Sequence, residues 1–286
     1  MGKGRTWLYC PGNKPGKIVK AGVYGADGLV LDLEDSVAPA MKHEARNLVS
    51  AALMHHPLNG DVAVRINGLG TDWWEDDLRA VIQAGGSILR IPKIETVEDI
   101  RSILFLLKDV QKKMGFNSVR IELQVILETP RGVENAFSIL DAGEGFIHAL
   151  SFGAEDYCSA LGIDRKGPEF VLDYPRSRIA AAASAAGIAC LDTVWSDFSD
   201  EEGLKKDASR AKNLGFTGKS VIHPAQILSV NTIFSASSQQ IQWAKKVLSI
   251  GDIHQGAVAV EGAMVDEPIF RRAKQILKQS EEELHA

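Results

Sequence analysis

The sequence predicts an α/β protein whose strands close into a (β/α)8 barrel, followed by a C-terminal helical extension. Two observations support this fold class. Eight short runs rich in β-branched and apolar residues alternate with longer runs of helical spacing, and several of the short runs are apolar almost throughout. Strands buried on both faces are typical of parallel sheets covered by helices, and eight such units favour a closed barrel over an open doubly wound sheet.

The elements follow one another in a regular order, strand then helix. The predicted strands are residues 7–10, 28–33, 62–67, 88–93, 121–128, 148–153, 188–193 and 218–223, each a short apolar run. Helical spacing or composition predicts helices over residues 41–54, 74–84, 97–113, 132–140, 177–186 and 201–214. No Gly-x-Gly-x-x-Gly follows the first strand, so a dinucleotide-binding sheet is not favoured, and residues 67–70 predict a turn.

The composition of the chain changes after Phe234. Residues 235–240 form a polar connection, and residues 241–250 and 268–284 have helical patterns, with Glu267 near the start of the second. We therefore divide the chain into a catalytic barrel domain, residues 1–234, and a C-terminal helical lid or extension, residues 235–286.

Composition and charge narrow the class of partner. The 286 residues are 45% hydrophobic and 24% charged, as in an ordinary globular protein, and the net charge of −5 provides no broad basic field for nucleic acid. The three cysteines, Cys10, Cys158 and Cys190, lack the spacing of a metal or redox site and suit a reducing compartment. No signal peptide or membrane-spanning run is evident, so we expect a cytoplasmic protein with no membrane partner.

Polar residues collect at the ends of the predicted strands. In a (β/α)8 barrel the carboxyl ends of all strands open onto one mouth, where functional groups lie. A single such residue is usually a solvated loop charge, but their number at one end favours a functional site. The residues are Asp32, Glu34, Asp35, Arg65, Asn67, Lys93, Glu128, Glu155, Asp156 and His223.

Two successive strands end in carboxylates. Glu128 closes the apolar run of residues 125–127, and Glu155 and Asp156 follow the run of residues 149–153. If the two strands are parallel neighbours, these side chains point into one space and repel each other unless a cation lies between them. Such a pair, with water and ligand oxygens, suits Mg²⁺, whereas the sequence shows no clustered thiols or histidines for a soft metal.

Arg65 lies on an apolar strand, so its guanidinium needs a partner. One interpretation is a buried ion pair with Asp32 or Glu34. The other is a functional clamp, in which the planar donors hold a substrate carboxylate or stabilise an oxyanion beside the metal. The sequence leaves both interpretations open.

Several segments together, in this order, resemble one known family. They are LYCPGNKPGKIVKAGVYGADGLVLDLEDSV, VRING, PKIET, ILETPRGV, SFGAEDY and GKSVIHPAQI. They are similar to the citrate lyase β-subunit-like proteins of the HpcH/HpaI aldolase superfamily, over nearly the whole chain. The resemblance implies a TIM barrel with Mg²⁺, built as a homotrimer or a hexamer, that cleaves or forms a carbon–carbon bond next to an acyl thioester.

The resemblance also implies roles for residues at the mouth of the barrel. By position, Glu128 and Asp156 correspond to the two metal ligands. Arg65 corresponds to a contact of the substrate and its enolate, and Glu34 and Asp35 would lie behind the water molecules of the metal.

Further roles are implied for both ends of the chain. Arg5 and Lys14 resemble residues that meet the phosphates of coenzyme A. Asp266 corresponds to a catalytic aspartate that similar lyases deliver to the active site of a neighbouring subunit. Its presence favours an active thioester lyase, in which this carboxyl group exchanges a proton with the enolate carbon.

The implied reaction is retro-Claisen cleavage of a 3-hydroxyacyl-CoA thioester to acetyl-CoA and a 2-oxo acid. Citramalyl-CoA, malyl-CoA and a citryl thioester differ only at the carbon that bears the hydroxyl group. We favour citramalyl-CoA or a close relative as the substrate. The candidates for contacts that distinguish these substrates are Asn67, Gly68 and Leu69. One alternative is a metal-dependent aldolase acting on free hydroxy-oxo acids, against which the coenzyme A-like motif and Asp266 argue. Another is a non-catalytic ligand-binding barrel, which would not need the complete set of site residues.

Overall fold

The computed structural model describes residues 4–115, 120–143, 145–165, 167, 169–251, 258–260 and 263–284. Eight parallel strands pair in chain order, and the last pairs with the first, so the sheet closes and the predicted barrel is confirmed. The strands are β1 (Thr6–Pro11), β2 (Gly28–Asp32), β3 (Asp61–Arg65), β4 (Ile88–Ile91), β5 (Glu122–Leu127), β6 (Ile147–Phe152), β7 (Ala189–Asp192) and β8 (Gly218–Val221).

Helices connect the strands of the barrel. They are α1 (Pro15–Ala21), α2 (Lys42–His55), α3 (Trp74–Gln83), α4 (Val97–Met114), α5 (Pro130–Glu134), α6 (Ala136–Ala142), α7 (Ala154–Leu161), α8 (Asp173–Ala186) and α9 (Glu201–Asn213). The predicted helix over residues 132–140 is divided into α5 and α6 at Asn135, whose side-chain amide donates to the carbonyl of Glu95 at 2.8 Å. Sequence patterns did not predict α7, which begins two residues after β6 ends.

An apolar layer of side chains lies inside the barrel. Side chains alternate along each strand between the interior and the surrounding helices, so residues two apart on a strand share a face. The apolar layer consists of Trp7, Val30, Ala63, Ile88, Ala149 and Leu191. Gly28 makes room for the Trp7 ring, because a Cβ atom at this position would lie 2.6 Å from the ring.

Arg90 forms the next interior layer, closer to the carboxyl ends of the strands. Its Nε donates to Gln124 Oε1 at 2.8 Å and its Nη1 to Ser220 Oγ at 3.2 Å, so it links β4 with β5 and β8. The guanidinium lies over the rings of Trp7 and Tyr9, 5.1 and 5.4 Å from their centroids. Complete burial lowers the pKa of Arg90, although Tyr9 opposes this effect. Sequence analysis did not single out this residue.

A buried ionic cluster joins the outer face of the barrel to its helices. Lys219 of β8 donates to Asp192 of β7 at 2.5 Å and to Asp207 of α9 at 2.6 Å. Arg176 of α8 contacts the same two carboxylates, with Nε to Asp192 at 2.9 Å and Nη2 to Asp207 at 2.7 Å. Burial opposes ionisation of Asp207, but Lys219 and Arg176 hold its pKa below the usual range.

Removing one cation from this ionic cluster should destabilise the barrel strongly. In a Lys219→Met variant the two carboxylates keep only arginine partners, and breaking a buried pair typically costs about 3 kcal/mol or more of unfolding free energy. Urea unfolding followed by circular dichroism measures this loss. Lys205→Met is the matched control, because Lys205 pairs with Glu201 and Glu202 at the exposed surface, where loss of an ion pair changes the unfolding free energy little. Equal stabilities of the two variants would contradict the prediction.

The chain divides into two compact units between Asn231 and Thr232, inside α10 (Ile227–Phe234). The second unit contains α11 (Ser238–Gly251), a two-stranded antiparallel sheet of β9 (Val258–Val260) and β10 (Ala263–Val265), and α12 (Glu267–Leu284). Its core is formed by Ala244, Val247, Val265 and Ala273. The role of this unit as a lid stays a prediction.

In the part of the chain that is described, no helix combines the length and the apolar character needed to cross a bilayer.

Candidate active site

Polar residues at the carboxyl ends of five strands lie at the same mouth of the barrel. Asp32 and Arg65 are the last residues of β2 and β3, and they are paired in register. Lys93 follows β4, Glu128 follows β5, and Asp156 lies in the first turn of α7, after β6. The parallel direction of all strands places these residues together, as the sequence predicts.

Arg65 makes a dense set of ionic contacts. Its Nε and Nη2 donate to the two carboxylate oxygens of Asp32, at 2.6 and 2.8 Å, in a bidentate pair. Its Nη1 lies 2.9 Å from Glu34 Oε2 and 3.2 Å from Asp35 Oδ2. The guanidinium also lies over the Tyr9 ring, 4.9 Å from its centroid. The buried ion pair, one of the two interpretations of Arg65, is therefore present. Of the guanidinium nitrogens, Nη1 is the one that faces Glu34 and Asp35.

The Asp32–Arg65 pair stays ionised because each member stabilises the other. Burial works against the charged form of Asp32, but Arg65 and the backbone N–H of Glu34, which donates to Oδ1 at 3.0 Å, hold the pKa of Asp32 below its usual value. Burial likewise opposes the charge of Arg65, but Tyr9 and Asp32 raise its pKa well above the usual value. Arg65 therefore provides a permanent positive charge at the mouth.

The loop after β2 is held by two lysines. Lys42 of α2 is buried, and its Nζ donates to the backbone carbonyls of Leu33 and Glu34, both at 2.7 Å. Lys93 Nζ donates to Glu34 Oε1 at 2.8 Å and lies 3.9 Å from Asp35 Oδ1. Glu34 is buried, whereas the side chain of Asp35 is 58% exposed. Sequence analysis missed Lys42, since a lysine in the first turn of a helix gives no signal of burial.

Glu128 is a deeply buried carboxylate at the mouth, with 3% of its surface exposed. The backbone N–H of Lys93 donates to Oε1 at 2.8 Å. On the other side, a Cβ atom at Gly153 would lie 2.5 Å from Oε2, so only glycine fits there. Burial, followed by the charges of Glu34 and Asp156, raises the pKa of Glu128 well above its usual value.

The pair of Glu128 and Asp156 has the chemistry of a site for a hard divalent cation. The charge of Asp156 and a side-chain hydrogen bond with it contribute to the raised pKa of Glu128, an effect that a cation between the two carboxyl groups would reverse. Among the described residues no group of three or more His, Cys, Asp and Glu side chains has the geometry of a closed metal site. A site with two carboxylates leaves positions for water and substrate oxygens, as Mg²⁺ prefers.

Arg5 is not brought to the mouth of the barrel. It precedes β1, at the amino end of that strand, and its Nε and Nη2 make a bidentate pair with Asp27, both at 2.8 Å. Lys14 follows β1, at the same end of the barrel as Glu128, and its side chain is exposed at the start of α1. The coenzyme A contacts of Arg5 and Lys14 both stay predictions.

The residues considered for substrate choice differ in their freedom to contact a ligand. Asn67 is buried, and both its backbone N–H and its side-chain amide donate to Asp77 Oδ2, at 3.1 and 2.6 Å. The carbonyl of Gly68 accepts from the backbone N–H and the hydroxyl of Thr71. Leu69 is partly exposed. Asn67 therefore shapes the loop, and Leu69 is the better candidate for a substrate contact.

Two further predicted residues lie on loops and helix starts. His223 follows β8, and its Nδ1 accepts from the backbone N–H of Ala225 at 3.2 Å, so it caps the short helix that follows. Asp266 belongs to the second unit, where it is partly buried and directly precedes α12, and its carbonyl accepts from the N–H of Phe270. Its catalytic role stays a prediction.

The geometry can be compared with known proteins. The model of the HpcH/HpaI aldolase/citrate lyase family matches residues 5–224. The citrate lyase subunit beta of Leuconostoc mesenteroides subsp. cremoris is 36% identical over 279 residues, which cover 96% of this chain and 92% of that protein. The mitochondrial citramalyl-CoA lyase of Rattus norvegicus is 34% identical over 289 residues, covering 96% of this chain and 85% of that protein.

A solved structure extends the comparison to a complex with ligands. The protein CitE from Mycobacterium tuberculosis, in complex with magnesium, acetoacetate and coenzyme A, is 32% identical with a TM-score of 0.81. The match covers 97% of this chain and 98% of that chain.

Proposed function

Because the chain belongs to the HpcH/HpaI aldolase/citrate lyase family, we propose that it is a Mg²⁺-dependent carbon–carbon lyase that cleaves a 3-hydroxyacyl-CoA thioester to acetyl-CoA and a 2-oxo acid. The observation that carries the proposal is the pair of Glu128 and Asp156, which follow the neighbouring strands β5 and β6 and lie so close together at the mouth of the barrel that Asp156 contributes to the raised pKa of Glu128. The CitE complex with magnesium and coenzyme A supports both the metal and the class of substrate.

In this reaction Glu128 and Asp156 would hold the cation. When bound, Mg²⁺ supplies Lewis-acid polarisation of substrate oxygens, which favours loss of the hydroxyl proton to water. Glu34 and Asp35 would accept hydrogen bonds from water molecules around a bound cation. Glu34 is fixed for this role by Lys93, whereas Asp35 is more exposed and contacts both Arg65 and Lys93.

Cleavage converts the 3-hydroxyl group to the carbonyl of the 2-oxo acid. The bond between the two carbons breaks, and its electron pair passes to the α-carbon and carbonyl oxygen of the thioester. Arg65 stabilises the negative charge on that oxygen through Nη1, while the bidentate pair with Asp32 keeps the guanidinium plane fixed. Asp266 protonates the α-carbon, which completes acetyl-CoA.

The test is acetyl-CoA release by the purified protein with Mg²⁺. Citramalyl-CoA, malyl-CoA and citryl-CoA are compared, and the Glu128→Ala variant serves as the control. We expect release from at least one thioester, with citramalyl-CoA the favoured substrate, and no release by the control. If no thioester is cleaved, the proposal fails, and the free-acid aldolase becomes the better hypothesis.

A further inference from the structure

Lys93 has an unusual backbone conformation. Its φ of 57° lies in the left-handed region, and no other non-glycine residue in the described ranges has a positive φ. This region is sterically unfavourable for a residue with a side chain, and glycine would adopt it without cost. A non-glycine residue is retained in such a conformation where the surrounding contacts require it, and these positions concentrate at functional sites.

Two hydrogen bonds fix Lys93, one through its backbone N–H and one through its side-chain ammonium group. Its backbone N–H donates to Glu128 Oε1 at 2.8 Å, and its Nζ donates to Glu34 Oε1 at 2.8 Å. Burial lowers the pKa of Lys93, but the hydrogen bond to Glu34 and the charges of Glu34, Asp35 and Glu128 raise it above its usual value overall. Lys93 thus links the loop after β2 to the carboxylate that follows β5.

The backbone contact decides which oxygen of Glu128 is available. Oε1 accepts from the Lys93 N–H, and Oε2 lies beside Gly153, where the chain leaves β6 toward Asp156. A carboxylate held in this way presents one oxygen toward Asp156 and keeps the other occupied. Preorganisation of this kind removes the cost of ordering the side chain when a cation binds.

We propose that Lys93 is a positioning residue for Glu128, and that its left-handed backbone aims the N–H at Oε1 so that Oε2 faces the cation. This inference rests on the proposed function for the identity of the cation. The ammonium group has a separate task, because its bond to Glu34 helps to keep Lys93 in the unfavourable conformation.

Two neutral substitutions separate the backbone from the ammonium group. Lys93→Asn and Lys93→Val both remove Nζ, but asparagine tolerates a positive φ, whereas β-branched valine opposes it. Metal affinity is measured without substrate, by titration with Mn²⁺ followed by electron paramagnetic resonance and by competition with Mg²⁺. We expect Lys93→Asn to stay within about threefold of the wild-type dissociation constant and Lys93→Val to be weaker by about tenfold or more, given the cost of a left-handed β-branched residue.

Lys93→Ala should lie between these two variants, and it replaces Lys93→Val if the valine variant does not fold, as judged by circular dichroism. Equal metal affinities for the asparagine variant and the alanine or valine variant would overturn the proposal. Because this measurement needs no thioester, its failure can be told apart from failure of the lyase assay: a wild-type protein that binds Mg²⁺ but releases no acetyl-CoA would refute the lyase and leave the role of Lys93 standing.

Discussion

Replacing Glu128 with glutamine should abolish metal-dependent activity while leaving the protein folded. The substitution keeps the size of the side chain and its acceptor for the Lys93 N–H, but it removes the charge that would hold a cation beside Asp156. Metal ions contribute several kcal/mol to stabilising transition-state charge, so we expect the rate of acetyl-CoA release to fall at least about a hundredfold. The assay is initial rate against Mg²⁺ concentration, together with metal affinity in the absence of substrate.

Glu155→Gln is the matched control for the substitution of Glu128. Glu155 is the exposed neighbour of Asp156 in the first turn of α7, so its loss should change neither the rate nor the metal affinity. Mg²⁺ should raise the thermal midpoint of the wild-type protein and of Glu155→Gln, because a ligand that binds only the folded state stabilises it, but not that of Glu128→Gln. A Glu128→Gln variant that is still stabilised by Mg²⁺ would show that the metal binds elsewhere.

The strands and the shared position of Glu128 and Asp156 follow from simple features of the sequence. Glu128 and Asp156 each come shortly after an apolar run, and parallel strands in chain order necessarily bring their carboxyl ends to one mouth. The same reasoning places Arg5 at the other end of the barrel, because a residue that precedes a strand lies at its amino end.

Other parts of the site could not be predicted from local patterns. The left-handed conformation of Lys93 has no sequence signal, since lysine is not a residue typical of positive φ. Arg90 and Lys42 are buried cations whose partners are aromatic rings, neutral side chains or backbone carbonyls from distant segments. Arginine and lysine are usually exposed, and only the tertiary structure provides these partners.

Replacing Asp266 with asparagine should stop turnover but leave the metal site intact. Asp266 belongs to the second unit, whereas the proposed metal ligands Glu128 and Asp156 belong to the barrel, so the Mg²⁺ affinity should be unchanged. Loss of a general acid typically lowers the rate by about a hundredfold to ten-thousandfold. The measurement combines acetyl-CoA release with exchange of the acetyl-CoA methyl hydrogens for solvent deuterium, which reports proton transfer at carbon alone. Glu267→Gln, at the exposed first position of α12, is the control and should keep both activities.

The same variant tests whether Asp266 serves the active site of another subunit. Asp266→Asn and Glu128→Gln chains are each expected to be inactive, one lacking the proton donor and the other the metal. If the aspartate acts across subunits, mixing the two after partial denaturation and refolding creates assemblies in which an intact barrel meets an intact Asp266, and activity returns. If it acts within its own chain, every active site in the mixture still lacks one group. No recovery, in mixed assemblies verified by mass spectrometry, would therefore place Asp266 in its own subunit's site, whereas full activity of Asp266→Asn alone would remove it from the mechanism.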